Sequence, residues 1–311
     1  MRRSVSLKKI AIIGNGSQSK RIQRILNKLN LGYFIYHPSN KQSKITFGDV
    51  LVSDAVFICS PNNTHIEYIK KLGKNKYIFC EKPPVNKIID LKYLKKEDYK
   101  KLYFNFNYRF SSISKILKDS NKFKLGNLLY GSIIFGHGLA SKKEYINSWR
   151  SKKNECPKGV FEVVSVHIID LINFYFNVKK INLPTLTNVS GIGNSYDTSK
   201  ITINLSNNSH IDIFSTYFSP YHEEWSLIYE NGIIKFENGI LVIRGPKNIF
   251  NKKGFFKKPK IIYKKLISEQ KDFDDSLVDS TNYFISVFKK NKPFPKEIFK
   301  KSLDTNWIIL K

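Results

Sequence analysis

The sequence predicts an α/β chain in two parts: a doubly wound parallel sheet, then an α+β part with a largely antiparallel open sheet. Three observations lead there. Short continuous apolar runs alternate with helical periodicities through the first hundred or so residues, as strands buried on both faces alternate with crossover helices. From Lys200 onward apolar and polar residues alternate singly, and Asn231-Gly232 and Asn238-Gly239 separate successive runs, a strong hairpin signal. Between these regions, Val160 to Phe176 is apolar at Val160, Val163, Val164, Ile168, Leu171 and Phe174, which reads as one helix.

The 311 residues, 41% apolar and 14% aromatic, suffice for two ordinary cores. We expect domains over 1–109 and 110–311, with the closing helices able to pack back on the first. The 53 basic against 25 acidic residues leave a formal charge of +28, which favours anionic partners. Lysines are spread along the whole chain beside many Asn, Ile, Phe and Tyr, however, and no nucleic-acid-binding motif accompanies them. We therefore expect no nucleic-acid partner. The basic stretch Met1 to Lys9 is followed only by Ile10 to Ile13, too short for a signal-peptide core, and no apolar run is long enough to span a bilayer. A cytoplasmic protein with no membrane partner is the expectation. Cys59, Cys80 and Cys156 lack metal-ligand or C-x-x-C spacing; the first two fall in predicted buried strands and read as reduced core thiols, with no metal site.

In order, Lys9 to Ile13 is a strand ending at Gly14-Asn15-Gly16-Ser17-Gln18-Ser19, and Ile22, Ile25, Leu26 and Leu29 follow at helical spacing. Gly14 permits a tight turn and Gly16 a close approach of backbone to a diphosphate resting on the helix start. Ser19 stands where a third glycine is usual. A second strand, Tyr33 to Tyr36, ends in His37-Pro38-Ser39-Asn40-Lys41 with no acid for the ribose hydroxyls of NAD; Ser39, Asn40, Lys41 and Lys44 suit a ribose phosphate or plain solvent equally, so NAD and NADP both stay open. Asp54 to Cys59 is a third strand, followed by Ser60-Pro61-Asn62-Asn63 and a helix whose Thr64 and Glu67 are spaced as a capping box, ending at Gly73.

Tyr77 to Cys80 is a fourth strand, closed by Glu81-Lys82-Pro83-Pro84. Lys82 is thus delivered at the carboxyl end of a parallel strand, the edge where open α/β sheets bind ligands. A helix with Ile88, Ile89, Leu91 and Leu94 and a strand from Leu102 to Phe106 complete this part.

Ala11-Ile12-Ile13-Gly14-Asn15-Gly16, Cys59-Ser60-Pro61-Asn62 with His65, Cys80-Glu81-Lys82-Pro83, and Phe106-Asn107-Tyr108-Arg109-Phe110 stand in the order and approximate spacing of the Gfo/Idh/MocA oxidoreductases, which the chain resembles over nearly its whole length. The resemblance implies a Rossmann-type first domain and NAD or NADP bound by Gly14, Asn15, Gly16, Ser17, Gln18, Ser60, Pro61, Asn62, His65, Glu81 and Lys82. It also implies a sugar, cyclitol, sugar acid or nucleotide-linked sugar oxidised or reduced at a secondary alcohol. In that family the open sheet is often a subunit interface, which makes a homodimer or homotetramer the expectation.

A helix carrying Ile113, Ile116 and Leu117 and a strand from Leu128 to Phe135 come next, then an irregular stretch from Gly136 to Gly159 containing Trp149-Arg150. Arg150 is a candidate for a substrate phosphate or carboxylate, with Trp149 beside it. In the following helix His167 and Asp170, three apart, share a face, so the carboxylate is placed to orient the imidazole. The resembled family commonly has an acid four residues before this histidine, where Val163 stands here. Either the first turn is irregular and Glu162 substitutes, or the chemistry rests on Lys82 and His167. Asn107 and Arg109 are expected on the substrate side. Strands are expected at Lys200 to Leu205, His210 to Phe214, Trp225 to Tyr229, Ile233 to Phe236 and Ile240 to Ile243, then a basic loop from Gly245 to Lys260 and helices near Asp275 to Lys289 and Lys296 to Leu310.

The catalytic expectation is hydride transfer, with Lys82 hydrogen-bonded to the reacting oxygen, His167 as acid/base and Asp170 orienting it. The first alternative is a dinucleotide-binding scaffold or sensor without turnover; the second, which the missing binding motif weighs against, is a nucleic-acid binder whose sequence-independent binding would fall steeply with salt.

Overall fold

Apolar runs too short for helices form the first sheet in the computed structural model, which describes residues 9–40, 43–246 and 249–311. They are β1 (Ile10–Ile13), β2 (Tyr33–Tyr36), β3 (Ala55–Ile58), β4 (Tyr77–Glu81) and β5 (Leu102–Asn105). Every residue of β1, β3, β4 and β5 is buried, because connecting helices cover both faces; β2, at the edge, is only half-buried. All pairings are parallel, in the order β2-β1-β3-β4-β5. The connections are α1 (Ser17–Lys28), α2 (Phe47–Leu51), α3 (His65–Leu72) and α4 (Ile88–Lys96). The order reverses between β1 and β3, and the crevice beyond the carboxyl ends of strands at such a reversal is where open α/β sheets take ligands.

The chain forms two compact units. The first runs through Asn107 and takes back Ser276–Leu310; the second holds Tyr108–Asp275. Two closing helices, α7 (Glu269–Lys289) and α8 (Lys296–Leu310), supply the returning segment. Phe284 of α7 lies edge-on to Phe57 and Phe79, with ring centroids 5.1 and 5.4 Å away, so its burial joins helix to sheet and contributes on the order of 2–3 kcal/mol. Asn306 of α8 is fully buried and satisfies both backbone groups of Val85, accepting from its N–H at 2.8 Å and donating to its carbonyl at 3.1 Å.

The second unit opens with α5 (Ser112–Lys118) and is built on a nine-stranded sheet. Its strands are β6 (Leu128–Gly136), β7 (Val178–Ile181), β8 (Thr185–Thr187), β9 (Thr198–Leu205), β10 (His210–Thr216), β11 (His222–Tyr229), β12 (Gly232–Glu237), β13 (Ile240–Arg244) and β14 (Ile261–Leu266). The order is β14-β13-β12-β11-β6-β10-β9-β7, with β8 beside β9; all pairs are antiparallel except β6 with β10. Inward residues such as Ile133, Ile211, Ile213, Trp225 and Leu227 are buried, and α6 (Val166–Tyr175) belongs to this unit. No described helix is long and apolar enough to cross a membrane.

The structure departs from expectation in several places. Thr64 and Glu67 form no capping box: a 3-10 turn at Asn62–Thr64 precedes α3, and the Thr64 hydroxyl bonds Pro61 O and the Ser60 hydroxyl instead. A capping box does form at Thr46 and Asp49, ahead of α2. The expected single helix from Val160 begins with a π turn, Phe161–Ser165, before α6. Strands β7, β8 and β14 were not anticipated, and α7 starts at Glu269, earlier than Asp275. Lys41, Met1 to Lys8 and positions 247–248 of the basic loop lie outside the described residues.

Candidate functional site

In the first unit, three loops leave the same edge of the sheet. Ile13 pairs with Ile58, and Ile58 with Cys80, so the turns beginning at Gly14, Cys59 and Glu81 lie side by side. Gly14 has φ +95°, and a Cβ there would stand 2.8 Å from the Cys59 carbonyl oxygen; only glycine meets both conditions. Gly16 caps α1 with open space around its Cα, and the cap supplies no side-chain bond to the first turn. Asn15, Gly16 and Ser17 are exposed and no acid lies in that turn, so helix amides and dipole favour an anion there. Ser19, in place of the third glycine, is fully buried and accepts from Gln23 Nε2 at 2.9 Å, so a small residue does serve in that packed position. These groups fit a dinucleotide diphosphate.

Glu81 and Lys82 stand beside this cradle. Asn105 Nδ2 donates to Glu81 Oε1 at 2.9 Å, and the hydroxyl of Ser280 donates to Asn105 Oδ1 at 2.7 Å. Burial raises the Glu81 carboxyl above its ordinary pKa, opposed by the Asn105 bond, the Lys82 charge and a bond from Gln18. The acid thereby ties the start of α1 to the end of β4. His65, expected to face the dinucleotide, is fully buried: its Nδ1 lies 3.0 Å from Pro83 O and its Nε2 3.1 Å from Ser60 O. It braces the two loops from behind, and burial, outweighing those carbonyl contacts, lowers its pKa. Asn107, expected toward substrate, is buried and donates to the Ser276 hydroxyl at 2.8 Å, which ties the end of β5 to α7. Ser60 and Lys82 are half-buried, Pro61 is exposed and Asn62 is half-buried.

In the second unit, His167 sits in the first turn of α6 and its ring stacks on Tyr108 at 4.7 Å. Asp170 is fully buried and accepts from Arg109 Nε at 2.7 Å and Nη2 at 2.6 Å. Arg109, expected toward substrate, thus holds α6, with its guanidinium 4.6 Å over the Phe174 ring. The π turn just before His167 changes the phase of Glu162. In a regular α-helix a residue five back is turned about 140° away; a wider turn reduces that angle. Glu162 and His167 are both half-exposed, and Glu162 Oε1 accepts from Lys158 N at 3.0 Å. Arg150 lies 4.6 Å over the Trp149 ring.

Two residues escaped the sequence reading. Tyr108 stacks on the imidazole, and Glu223 lies on the inward register of β11 with Trp225, whose Nε1 donates to Glu223 Oε1 at 3.0 Å. Burial, with Glu269 and Asp272 nearby, raises Glu223 to about 7, against the bonds from Trp225 and Tyr221. An acid two residues from a buried tryptophan in an alternating strand was the available signal.

Residues 46–105 match the model of the Gfo/Idh/MocA oxidoreductase family, described as having an NAD-binding Rossmann fold. Over 192 residues the chain is 29% identical to the glucose-6-phosphate 3-dehydrogenase of Bacillus subtilis (strain 168), covering 55% of this chain and 54% of the relative. The chain therefore spans about half the length of the curated relative it matches. Its fold is that of the myo-inositol dehydrogenase of Corynebacterium glutamicum ATCC 13032, with TM-score 0.72, 19% identity and coverage of 97% of this chain and 94% of the other. A levoglucosan dehydrogenase solved with NADH and levoglucosan gives TM-score 0.73 and 14% identity, with 97% and 95% covered. With the cradle at Gly14 and Gly16 and the Glu81-Lys82 turn, the chain is thus similar to the Gfo/Idh/MocA oxidoreductases over residues 46–105 and shares the fold of the sugar dehydrogenases named here.

Proposed function

We propose that the chain is an NAD(P)-dependent oxidoreductase acting on a secondary alcohol or ketone of a sugar-type substrate. The observation that carries this is the half-buried Lys82, fixed at the end of β4 between a hydrogen-bonded Glu81 and the His65-braced Pro83, beside the Gly14 turn. The family match and the sugar dehydrogenases among the relatives support the same reading.

A bound nicotinamide dinucleotide would accept or return the hydride. Gly14, Asn15, Gly16, Ser17 and Gln18 would hold its diphosphate, and Ser60, Pro61 and Asn62 would border it. Lys82 donates a hydrogen bond to the substrate oxygen, and His167 takes or returns that oxygen's proton at a ring nitrogen. Asp170, locked by Arg109, fixes the helix that presents His167. The first unit is read as the dinucleotide domain and the second as the substrate domain. Described residues after β2 include no carboxylate through Asn40, so affinities for NADH and NADPH are to be compared directly.

An oligomer formed through the outward face of the large sheet belongs to this reading, supported by the exposed Phe214, Ile228 and Ile240. A cytoplasmic location is supported by three buried, unbridged cysteines. The test is reduction of NAD or NADP by myo-inositol, glucose 6-phosphate and levoglucosan, with wild type and Lys82→Ala compared. Turnover by the wild type that the variant loses supports the reading; no turnover by wild type that binds NADH favours a scaffold.

A further inference from the structure

The loop between β6 and α6 gathers cations that the chemistry above leaves unused. Arg150 is half-buried with its guanidinium carbon 4.6 Å over the Trp149 ring, and a guanidinium held against a ring face keeps N–H groups at its edge that can bind an oxyanion. Among the described residues no carboxylate forms an ion pair with Arg150 or with Lys142. His137 follows directly on β6, with its ring 5.0 Å from that of Tyr217. Burial lowers the His137 pKa first, and the Arg150 and Lys142 charges lower it further, so these groups share one electropositive spot.

Tyr217 supplies an independent observation. It is 1% exposed, and among the described residues its hydroxyl has no hydrogen-bond partner. Arg150, Tyr145, Cys156 and Glu162 all act electrostatically on that hydroxyl, which puts it against the same cluster. Buried hydroxyls in folded proteins normally have a partner, and a ligand oxygen, or a water carried with it, would satisfy this one. Glu162, the one acid in the cluster, is engaged by the Lys158 amide. It lies in the π turn that leads into α6, five residues before His167, so the cluster adjoins His167 along the chain.

We propose that Arg150, with His137, Lys142 and Tyr217, forms an anion subsite that selects a sugar bearing a phosphate or carboxylate. The assignment rests on the dehydrogenase reading for its place in a reaction, but its test does not.

Isothermal titration of the purified full chain, preloaded with NADH, would compare glucose 6-phosphate, glucuronate and glucose at low and high salt. A charge-assisted contact of this kind should favour at least one charged sugar over glucose by about tenfold or more, with the preference falling as salt rises. Which charged sugar prevails separates phosphate from carboxylate. Arg150→Gln should abolish the preference and Arg150→Lys keep part of it. Tyr217→Phe should unfold at no lower urea concentration than wild type, because it loses an unpartnered hydroxyl, yet weaken the charged sugar several-fold. Glucose binding as tightly as both charged sugars, no binding of any of the three, or an undiminished preference in Arg150→Gln would overturn the subsite. Turnover of neutral sugars without charge preference would sink the subsite alone and leave the dehydrogenase reading standing.

Discussion

Arg109 and Asp170 form a two-pronged ion pair with almost no exposed surface, Nε to Oδ2 at 2.7 Å and Nη2 to Oδ1 at 2.6 Å. It ties the segment entering the second unit to α6, less than one turn beyond His167. Removing one partner leaves a buried charge unmatched.

Asp170→Asn should therefore cost about 3–5 kcal/mol of unfolding free energy, measured by urea denaturation at neutral pH. Replacing both members with apolar residues of similar volume should recover most of that loss. A single-variant loss below about 1 kcal/mol would show that the pair does not anchor α6.

The two glycines after β1 should separate stability from binding. Gly14→Ala puts a Cβ 2.8 Å from Cys59 O at a positive φ, so a destabilisation of about 1–3 kcal/mol is expected. Gly16→Ala meets no atom within 4 Å and should unfold like wild type, while NADH fluorescence titration shows weakened binding. Equal nucleotide affinity in Gly16→Ala and wild type would remove the diphosphate from that turn.

Glu223 gives a pH signature. Its folded-state pKa of about 7 lies above the ordinary 4.5, so the folded state holds the proton more tightly than the unfolded chain. Stability attributable to this group is present below about pH 4.5, falls as pH rises through the window to 7, and stays reduced above it. Glu223→Gln should therefore gain on wild type across that window, by on the order of 3 kcal/mol at pH 8, in denaturation series at several pH values. A constant difference across pH would contradict the shift.

Much of this fold was legible because its determinants are local. β1 and β3 are uninterrupted apolar runs, β4 and β5 are apolar up to their last residues, Glu81 and Asn105, and Asn238 and Gly239 take the positive φ values, 50° and 71°, that an Asn-Gly hairpin demands. The edge strands β7 and β14 were hidden because paired lysines sit in both, Lys179-Lys180 and Lys264-Lys265. Such residues blunt an exposed edge and erase the alternation that marks a strand. Asn231-Gly232 gave the right hairpin for a partly different reason: Gly232 already pairs with Tyr229, and its missing side chain makes room for the Arg244 backbone. In the candidate site, Lys82 and the Gly14 turn could be read from strand ends. The partners of Asp170, His65 and Asn107 could not, because Arg109, Pro83 and Ser276 stand 61, 18 and 169 residues away in sequence.

The most direct measurement is turnover of NAD(P) with Lys82→Ala and His167→Ala beside wild type, each checked for NADH binding. A loss of about a hundredfold or more in kcat for each variant, with NADH affinity nearly unchanged, is the predicted result. Near-normal kcat in both variants would contradict the assignment of these two side chains to the reacting oxygen and its proton.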